Sequence, residues 1–552
     1  MDFAGLIGPF YTSFASKAEV EKSVNLYLER IESGAGRNQF AMYRSPGLSI
    51  FISTAFFNLK HTCRELLELN GHLFAVVDDT IYDFISDGSL HASQGPIAND
   101  GLPVSIDASV NSLFVVSAGV LYRINGGLLT TPTTPFTPAS VSVISGLVIC
   151  IAVGSATSGS NSYFFSTDDG QTWPALNNQT AEAYPNALVM SIVDHQELWL
   201  FGNRRTQVFT VGSDPNAPFD AVSAGVIEMG LTAPFAVAKL DNSIFWLGSN
   251  RDGDHMVWRA NGYSPVRVSN HAVENAFRSY PGVPTDAIMS TYQLNGHSCL
   301  RLTFPSANQG LGATWEYDIS TGQWTEIAWW NLALNRYERH RCAFFASAFG
   351  KIIGGDYKNG MLYEMSPDIN TDFGYPIRWE RRTPHLTQDG KRVQYKRFGV
   401  FMQTGVGLTS PLILNDQSQS AATVAAGILA LEVAGLITVP QADTLSRIYF
   451  YEPYPAQVMP DPTILNSLGP LGFFDFGANP MIEMRYSNDG GSHFNAYKSR
   501  PIGRAGDTNT RIYWGGVGGL GWARDRVWEI SGMAPVKTAI TQGVFDGQVC
   551  LS

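Results

Sequence analysis

From residue 69 the chain alternates short apolar runs with tight-turn residues, and the alternation recurs. Each unit opens on a turn residue, runs on as an apolar stretch, breaks, and resumes as a second alternating run. The units start at Leu69, Val110, Ile144, Val193, Leu240, Leu294 (completed from Ala313) and Ala348, roughly 33 to 54 residues apart. No helical period intervenes. Strand hairpins at this spacing predict an all-β fold, a β-propeller, because one four-stranded sheet cannot cover both its faces while a ring of sheets covers each with its neighbour. Seven units, one of which could serve only to close the ring, give six or seven blades over residues 61–408. A row of β-sandwich domains is the alternative arrangement.

The flanks read differently. Residues 1–60 form an N-terminal arm and first strands, with a turn at Arg44-Ser45-Pro46-Gly47. Residues 409–480 are proline- and alanine-rich and read as an inserted segment, possessing in Ala421–Leu436 the one long stretch of helix-like composition. From 481 to 552 a C-terminal β module completes the platform, with short strands at Arg511–Trp514 and Arg526–Ile530. The stretch 421–440 just reaches the roughly 20 residues of a membrane span but contains Glu432. It is read as a partner-facing or tip-forming segment, so no membrane anchor is expected. The N-terminus lacks a basic leader before an apolar core, so no secretion signal is expected.

Composition narrows the classes. At 44% hydrophobic residues the 552-residue chain has enough apolar surface to fold. Charged residues are only 15%, below the roughly 25% usual in soluble domains, which suits a surface partly covered by large subunit contacts. A net charge of -11 argues against gripping nucleic acid by phosphate neutralisation, yet suits a wall past which DNA slides. Cys63, Cys150, Cys299, Cys342 and Cys550 are scattered without a CxxC pair, which predicts buried thiols and no zinc site.

Two turn boxes stand out: Ser166, Asp168, Gly170 and Trp173, and again Ser487, Asp489, Gly491 and Phe494. The pattern S-x-D-x-G-x-x-aromatic is the Asp box of sialidase-like propellers. Its chemistry is local: aspartate accepts backbone N–H groups, glycine takes positive φ and the aromatic packs on the hairpin. A glycan hydrolase would also need an arginine cluster, a tyrosine nucleophile and acid/base carboxylates, which the sequence does not place. The run 516–521 matches G-x-G-x-x-G but lacks a βαβ setting and reads as a hairpin loop. Asp252 and Asp254 lack the rest of a calcium loop. No catalytic residue, cofactor or metal is expected. The most basic stretch contains Arg378, Arg381, Arg382, Lys391, Arg392, Lys396 and Arg397, a candidate surface for assembly or for DNA contact.

Several stretches in chain order resemble one family: NLYLE at Asn25, SPG at Ser45, LWLFGNRRTQVF at Leu198, GLTAPFAVAKLDNSIFWLGSNRDG at Gly230, TWEYDISTGQW at Thr314, GGDYKNGMLYEM at Gly354, RRTPHL at Arg381, and the module from Met484 to Ile540. The chain resembles tail hub, or nozzle, proteins of short-tailed phages (podoviruses), the packaged DNA stabilization family. That resemblance implies a structural virion protein of the viral tail, assembled in the host cytoplasm as a homo-hexamer. It implies a ring beneath the portal and the tail adaptor, continuing the DNA channel, retaining the packaged genome until DNA ejection, and anchoring tail fibres or spikes and a needle or plug. Genomic DNA would pass through the lumen without sequence-specific binding. The family pattern does not cover 409–480, where a narrowing or gating role is the expectation. A propeller-type glycan-binding adhesin or sialidase-like hydrolase is the alternative.

Overall fold

The computed structural model describes residues 2–15, 18–32, 39–52, 62–153, 161–182, 187–249, 255–280, 284–332, 334–408, 412–415, seven positions between 426 and 435, 473–516 and 519–549. They form two compact units. One comprises Ile50–Gly322 and Arg339–Glu364; the other comprises Met1–Ser49, Gln323–Glu338 and Met365–Ser552.

The first unit is a propeller. Five four-stranded antiparallel sheets span 63–94, 105–130, 137–180, 188–227 and 237–267. Two further sheets begin with Ile288–Leu294 and Cys342–Ala348. The strand Cys342–Ala348 lies beside Cys63–Leu69 and closes a ring of seven blades. Middle strands such as Ser112–Ser117 and Ser243–Ser249 are covered on both faces by neighbouring blades, which is why they read as unbroken apolar runs. The fourth strands lie at the outer edge of their sheets and are the more accessible ones, as in Leu90–Gln94. Cores form between blades: Phe114 and Leu121 of the second meet Val148, Phe164 and Trp173 of the third. Phe201 of the fourth likewise meets Trp246 of the fifth.

The recurring turn of the sequence is the first hairpin of a blade, and six of the seven blades share one turn geometry. Asn70-Gly71, Ser145-Gly146, His195-Gln196, Asp241-Asn242, Asn295-Gly296 and Phe349-Gly350 are two-residue turns with positive φ at both positions, the geometry whose twist matches a β-hairpin. Neighbouring turns also bond to one another: Ser145 Oγ donates to Gln196 Oε1 at 2.9 Å, and His195 Nε2 lies 2.7 Å from Asn242 Oδ1.

The second unit is a β-sandwich. One sheet orders Leu26–Arg30, Phe40–Arg44, Ala539–Val549, Val393–Met402 and Ile512–Gly515; the other orders Lys22–Val24, Trp379–Arg382, Asp525–Gly532, Met481–Ser487 and Lys498–Pro501. Met42, Trp379, Phe398, Met484, Trp514, Trp528 and Ile540 share its core. Phe398 and Trp528 stack with centroids 4.5 Å apart. The boundaries at 60, 408 and 481 drawn from the sequence therefore differ from the division the chain adopts. Lys22–Val24, Leu26–Arg30, Phe40–Arg44, Trp379–Arg382 and Val393–Met402 supply strands to the same sandwich as the C-terminal module and share its core.

The strands that flank the glycine run at 516–521 do not form a hairpin with each other: Ile512–Gly515 and Trp522–Ala523 pair successively with the one strand Val393–Met402, and residues 517 and 518 lie outside the described residues. A side chain at Gly519 would meet the Tyr395 carbonyl oxygen at 2.7 Å. Within the insertion, Leu412–Asn415 and Phe473–Phe476 pair antiparallel. Most of 421–440 lies outside the described residues, as do Asp252, Asp254 and Cys550. Among the described residues no helix is long and apolar enough to cross a membrane. Cys63, Cys150, Cys299 and Cys342 are buried free thiols.

Candidate functional site

The two turn boxes adopt one geometry. In the first, Ser166 Oγ donates to Asp168 Oδ1 at 2.6 Å and accepts from the Gly170 N–H at 3.1 Å. Asp168 Oδ1 accepts the N–H groups of Gln171 and Thr172 at 3.1 and 3.0 Å. In the second, Ser487 bonds Asp489 at 2.6 Å and accepts from the Gly491 N–H at 2.9 Å, while Asp489 Oδ1 accepts from the Ser492 and His493 N–H groups at 3.1 and 2.9 Å. Positive φ falls at the same two positions, Asp169 and Gly170 in one box and Gly490 and Gly491 in the other.

Their surroundings differ. Trp173 is buried against Phe136 in the core between the second and third blades. Phe494 instead lies against the guanidiniums of Arg382 and Arg485, 4.8 and 4.7 Å from its ring centroid. The first box also reaches the neighbouring blade. Asp169 accepts from Ser109 Oγ and Ser112 Oγ at 2.6 Å each and from Arg123 Nη2 at 2.7 Å. That bridge was not anticipated, since nothing local to Asp169 points to partners about fifty residues earlier.

The basic stretch splits in two. Arg378, Arg381 and Arg382 belong to the sandwich interior. Arg378 donates to Ser531 Oγ at 3.0 Å and to Tyr497 Oη at 3.2 Å. Arg381 has no exposed surface. It donates to the Leu6, Gly5 and Pro9 carbonyls at 2.9, 3.3 and 3.2 Å and pairs with Glu21 at 3.0 Å, fixing the N-terminal arm. Arg382 pairs with Glu529 at 2.7 Å. Glu529 is wholly buried and also accepts from Arg485 Nε at 2.5 Å and Tyr497 Oη at 3.0 Å. These three arginines are therefore paired inside one unit: Arg381 is enclosed, Arg378 is nearly so, and Arg382 keeps 22% of its side chain exposed.

Lys391, Arg392, Lys396 and Arg397 are exposed. A register shift between Tyr395 and Arg397 breaks the alternation, so Lys396 and Arg397 both face solvent between the buried Tyr395 and Phe398. Arg397 stacks over Tyr513 at 4.8 Å.

Glu21 supplies a pH test. Burial pushes its carboxyl up to about 7, against the pull of Arg381. The folded state thus retains a proton that the unfolded state releases near the ordinary carboxylate value. Stability from this group is present below that value and falls as pH rises from the ordinary value toward 7. Glu21→Gln should flatten the melting temperature over that window; an unchanged pH slope would refute the assignment.

The residue types a glycan hydrolase requires do meet, in the sixth blade. Arg301 Nε donates to Glu316 Oε2 at 2.5 Å, and Tyr292 Oη donates to the same oxygen at 2.6 Å. All three are buried, at 1%, 4% and 4% exposure for Arg301, Glu316 and Tyr292. The cluster is packed between Phe345 and His340. It works as a core, not as a site that receives a sugar.

Comparison with known proteins agrees with the propeller. A family model described as "Bacteriophage P22 Gp10, beta-propeller" matches residues 28–370. No curated protein matches the chain. Among solved structures, the N-terminal domain of Nup159 is 10% identical, with 62% of this chain and 98% of that chain covered and a TM-score of 0.37. PorZ, a surface component of the type-IX secretion system of Porphyromonas gingivalis, is 14% identical, with 63% and 44% covered and a TM-score of 0.29. With more than half its length matched by that family model, and the matched span folded as a ring of blades, the chain belongs to the phage-stabilisation family of Bacteriophage P22 Gp10 and is a structural phage protein.

Proposed function

We propose that this chain is the tail hub, or nozzle, of a short-tailed phage: six copies form a tube beneath the portal and adaptor that retains the packaged genome and anchors tail fibres, spikes or a needle. Family membership over residues 28–370 carries the reading. The charge distribution supports it. Residues 50–322 and 339–364 contain 25 acidic against 15 basic side chains, whereas the rest contain 23 against 22. The propeller is thus the acidic part of the chain, and the exposed Lys391, Arg392, Lys396 and Arg397 are a basic patch on the other unit. Opposite patches on one chain suit head-to-side contacts between copies, where complementary charge sets register and encounter rate. The mechanism is mechanical, and rigidity comes from blades that cover each other's faces.

The test is the mass of the purified assembly and its response to charge reversal. Six chains per ring are expected. Replacing Lys391, Arg392, Lys396 and Arg397 together by glutamate should abolish ring formation and incorporation into virions, with an unchanged melting temperature of the monomer. A quadruple variant that still forms six-fold rings refutes the assembly role. Loss of DNA retention from intact rings would assign the patch to the genome instead.

A further inference from the structure

We infer that the first blade carries a site for a divalent transition-metal ion, built from His72, Asp83 and His91. The three residues lie on adjacent strands, His72–Val77, Thr80–Phe84 and Leu90–Gln94. Asp83 stands opposite Phe74, and His72, two residues before Phe74, shares that face because side chains alternate along a strand. His91 would not share it in regular register. The pairing runs from Asp83 opposite Ala92 to Phe84 opposite Leu90, so His91 is the extra residue of a bulge. Bulges re-aim side chains, and this one turns the His91 ring toward Asp83.

The result is one carboxylate between two imidazoles. His72 Nδ1 lies 2.8 Å from Asp83 Oδ1, and His91 Nδ1 lies 2.7 Å from Asp83 Oδ2. The rings are 5.0 Å apart at 64°, and the donor atoms all fall within 4.8 Å of one another. Small rotations of the three side chains would set one atom of each about 2 Å from a shared ion. Two imidazole nitrogens and a carboxylate oxygen favour zinc, cobalt, nickel or copper(II) over calcium or magnesium. Asp83 is nearly buried while the His91 side chain is 57% exposed, so the cluster is open on one side for water to complete the coordination shell. Other histidine–carboxylate pairs in the chain, such as His297 with Asp318 and His385 with Asp525, bring one imidazole to the carboxylate. Among the described residues the cluster at 72, 83 and 91 is where two converge. The ion would pin the exposed outer strand Leu90–Gln94 to its blade.

The experiment uses the full chain, free of any affinity tag and stripped with chelator, titrated with Co²⁺ and then Zn²⁺. One equivalent of Co²⁺ per chain should give a visible d–d spectrum that Zn²⁺ displaces, and Zn²⁺ should raise the melting temperature. His72→Ala and His91→Ala should each weaken binding at least about tenfold, with melting unchanged in the metal-free state. His91→Gln, which keeps a polar side chain of similar reach, guards against a folding artefact and should lose the spectrum as well. Absence of stoichiometric Co²⁺ binding, or equal binding by the His72→Ala/His91→Ala double variant, would show a hydrogen-bonded triad only and overturn the assignment.

Discussion

Arg301→Leu is expected to lower the melting temperature of the propeller by about 10 °C. The guanidinium is 1% exposed, and its hydrogen bonds reach Glu316, Tyr292 and His340 while its flat faces lie 5.0 and 4.8 Å from the Tyr292 and Phe345 ring centroids. Burial, and after it the Arg301 charge, hold His340 well below its usual pKa, so its imidazole is neutral and offers a lone pair to the arginine. Leucine removes the cation and leaves the Glu316 carboxylate in the interior with only the tyrosine hydroxyl. Breaking a buried pair in this way costs about 3–5 kcal/mol, and each kcal/mol moves the midpoint by about 2–4 °C in a unit of this size. The companion variant Arg301→Leu/Glu316→Leu should recover much of the loss, because apolar replacement of both charges removes two desolvation costs together. Calorimetry of both variants checks this. A single variant that melts like the parent would mean that the cluster contributes nothing.

Glu529→Ala should produce the second-largest loss, in the sandwich. Burial pushes this carboxyl up, and the bond from Arg485 with the charge and bond of Arg382 more than offsets it, leaving the group below its usual value. The contribution of Glu529 is therefore present above the unfolded carboxylate value and lost as pH falls through the lower folded value. Alanine leaves Arg382 and Arg485 stacked on Phe494 without their shared buried carboxylate, and Glu380, 3.7 Å from Arg382, is a longer and weaker partner. Their side chains keep 22% and 26% exposure, so water relieves part of the penalty and about 2–4 kcal/mol is expected. Denaturant unfolding followed by tryptophan emission reads it, since Trp528 and Trp514 lie in that core. Parent-like stability, or an acid limb unchanged by the substitution, would refute the role of Glu529 as the hub of the arginines.

Much of the propeller was legible because its signals are local. Each unit begins at the first hairpin of a blade, and in six of the seven the two turn residues take positive φ. The boxes at 166–173 and 487–494 were legible for the same reason: eight consecutive residues contain the donors, the acceptor and the glycine. The basic stretch was not. Arg381 and Arg397 look alike in a sequence, yet one is enclosed by the N-terminal arm and the other stands on a bulge facing water. Their partners, Leu6 and Glu21 for one and Tyr513 for the other, are over a hundred residues away.

By itself the sequence determined an all-β chain, the repeat of the blades, the geometry of the turn boxes and the family, since hydrogen bonds and periods that close within a few residues are written in neighbouring letters. Only the tertiary structure decided that seven blades close the ring and that strands near residues 25, 40 and 395 join the C-terminal module in one sandwich. It alone decided which cations are buried, and that a single bulge at His91 brings two imidazoles onto one carboxylate. Those outcomes depend on which distant faces cover one another, and burial, unlike a turn, is a property no short stretch of chain possesses alone.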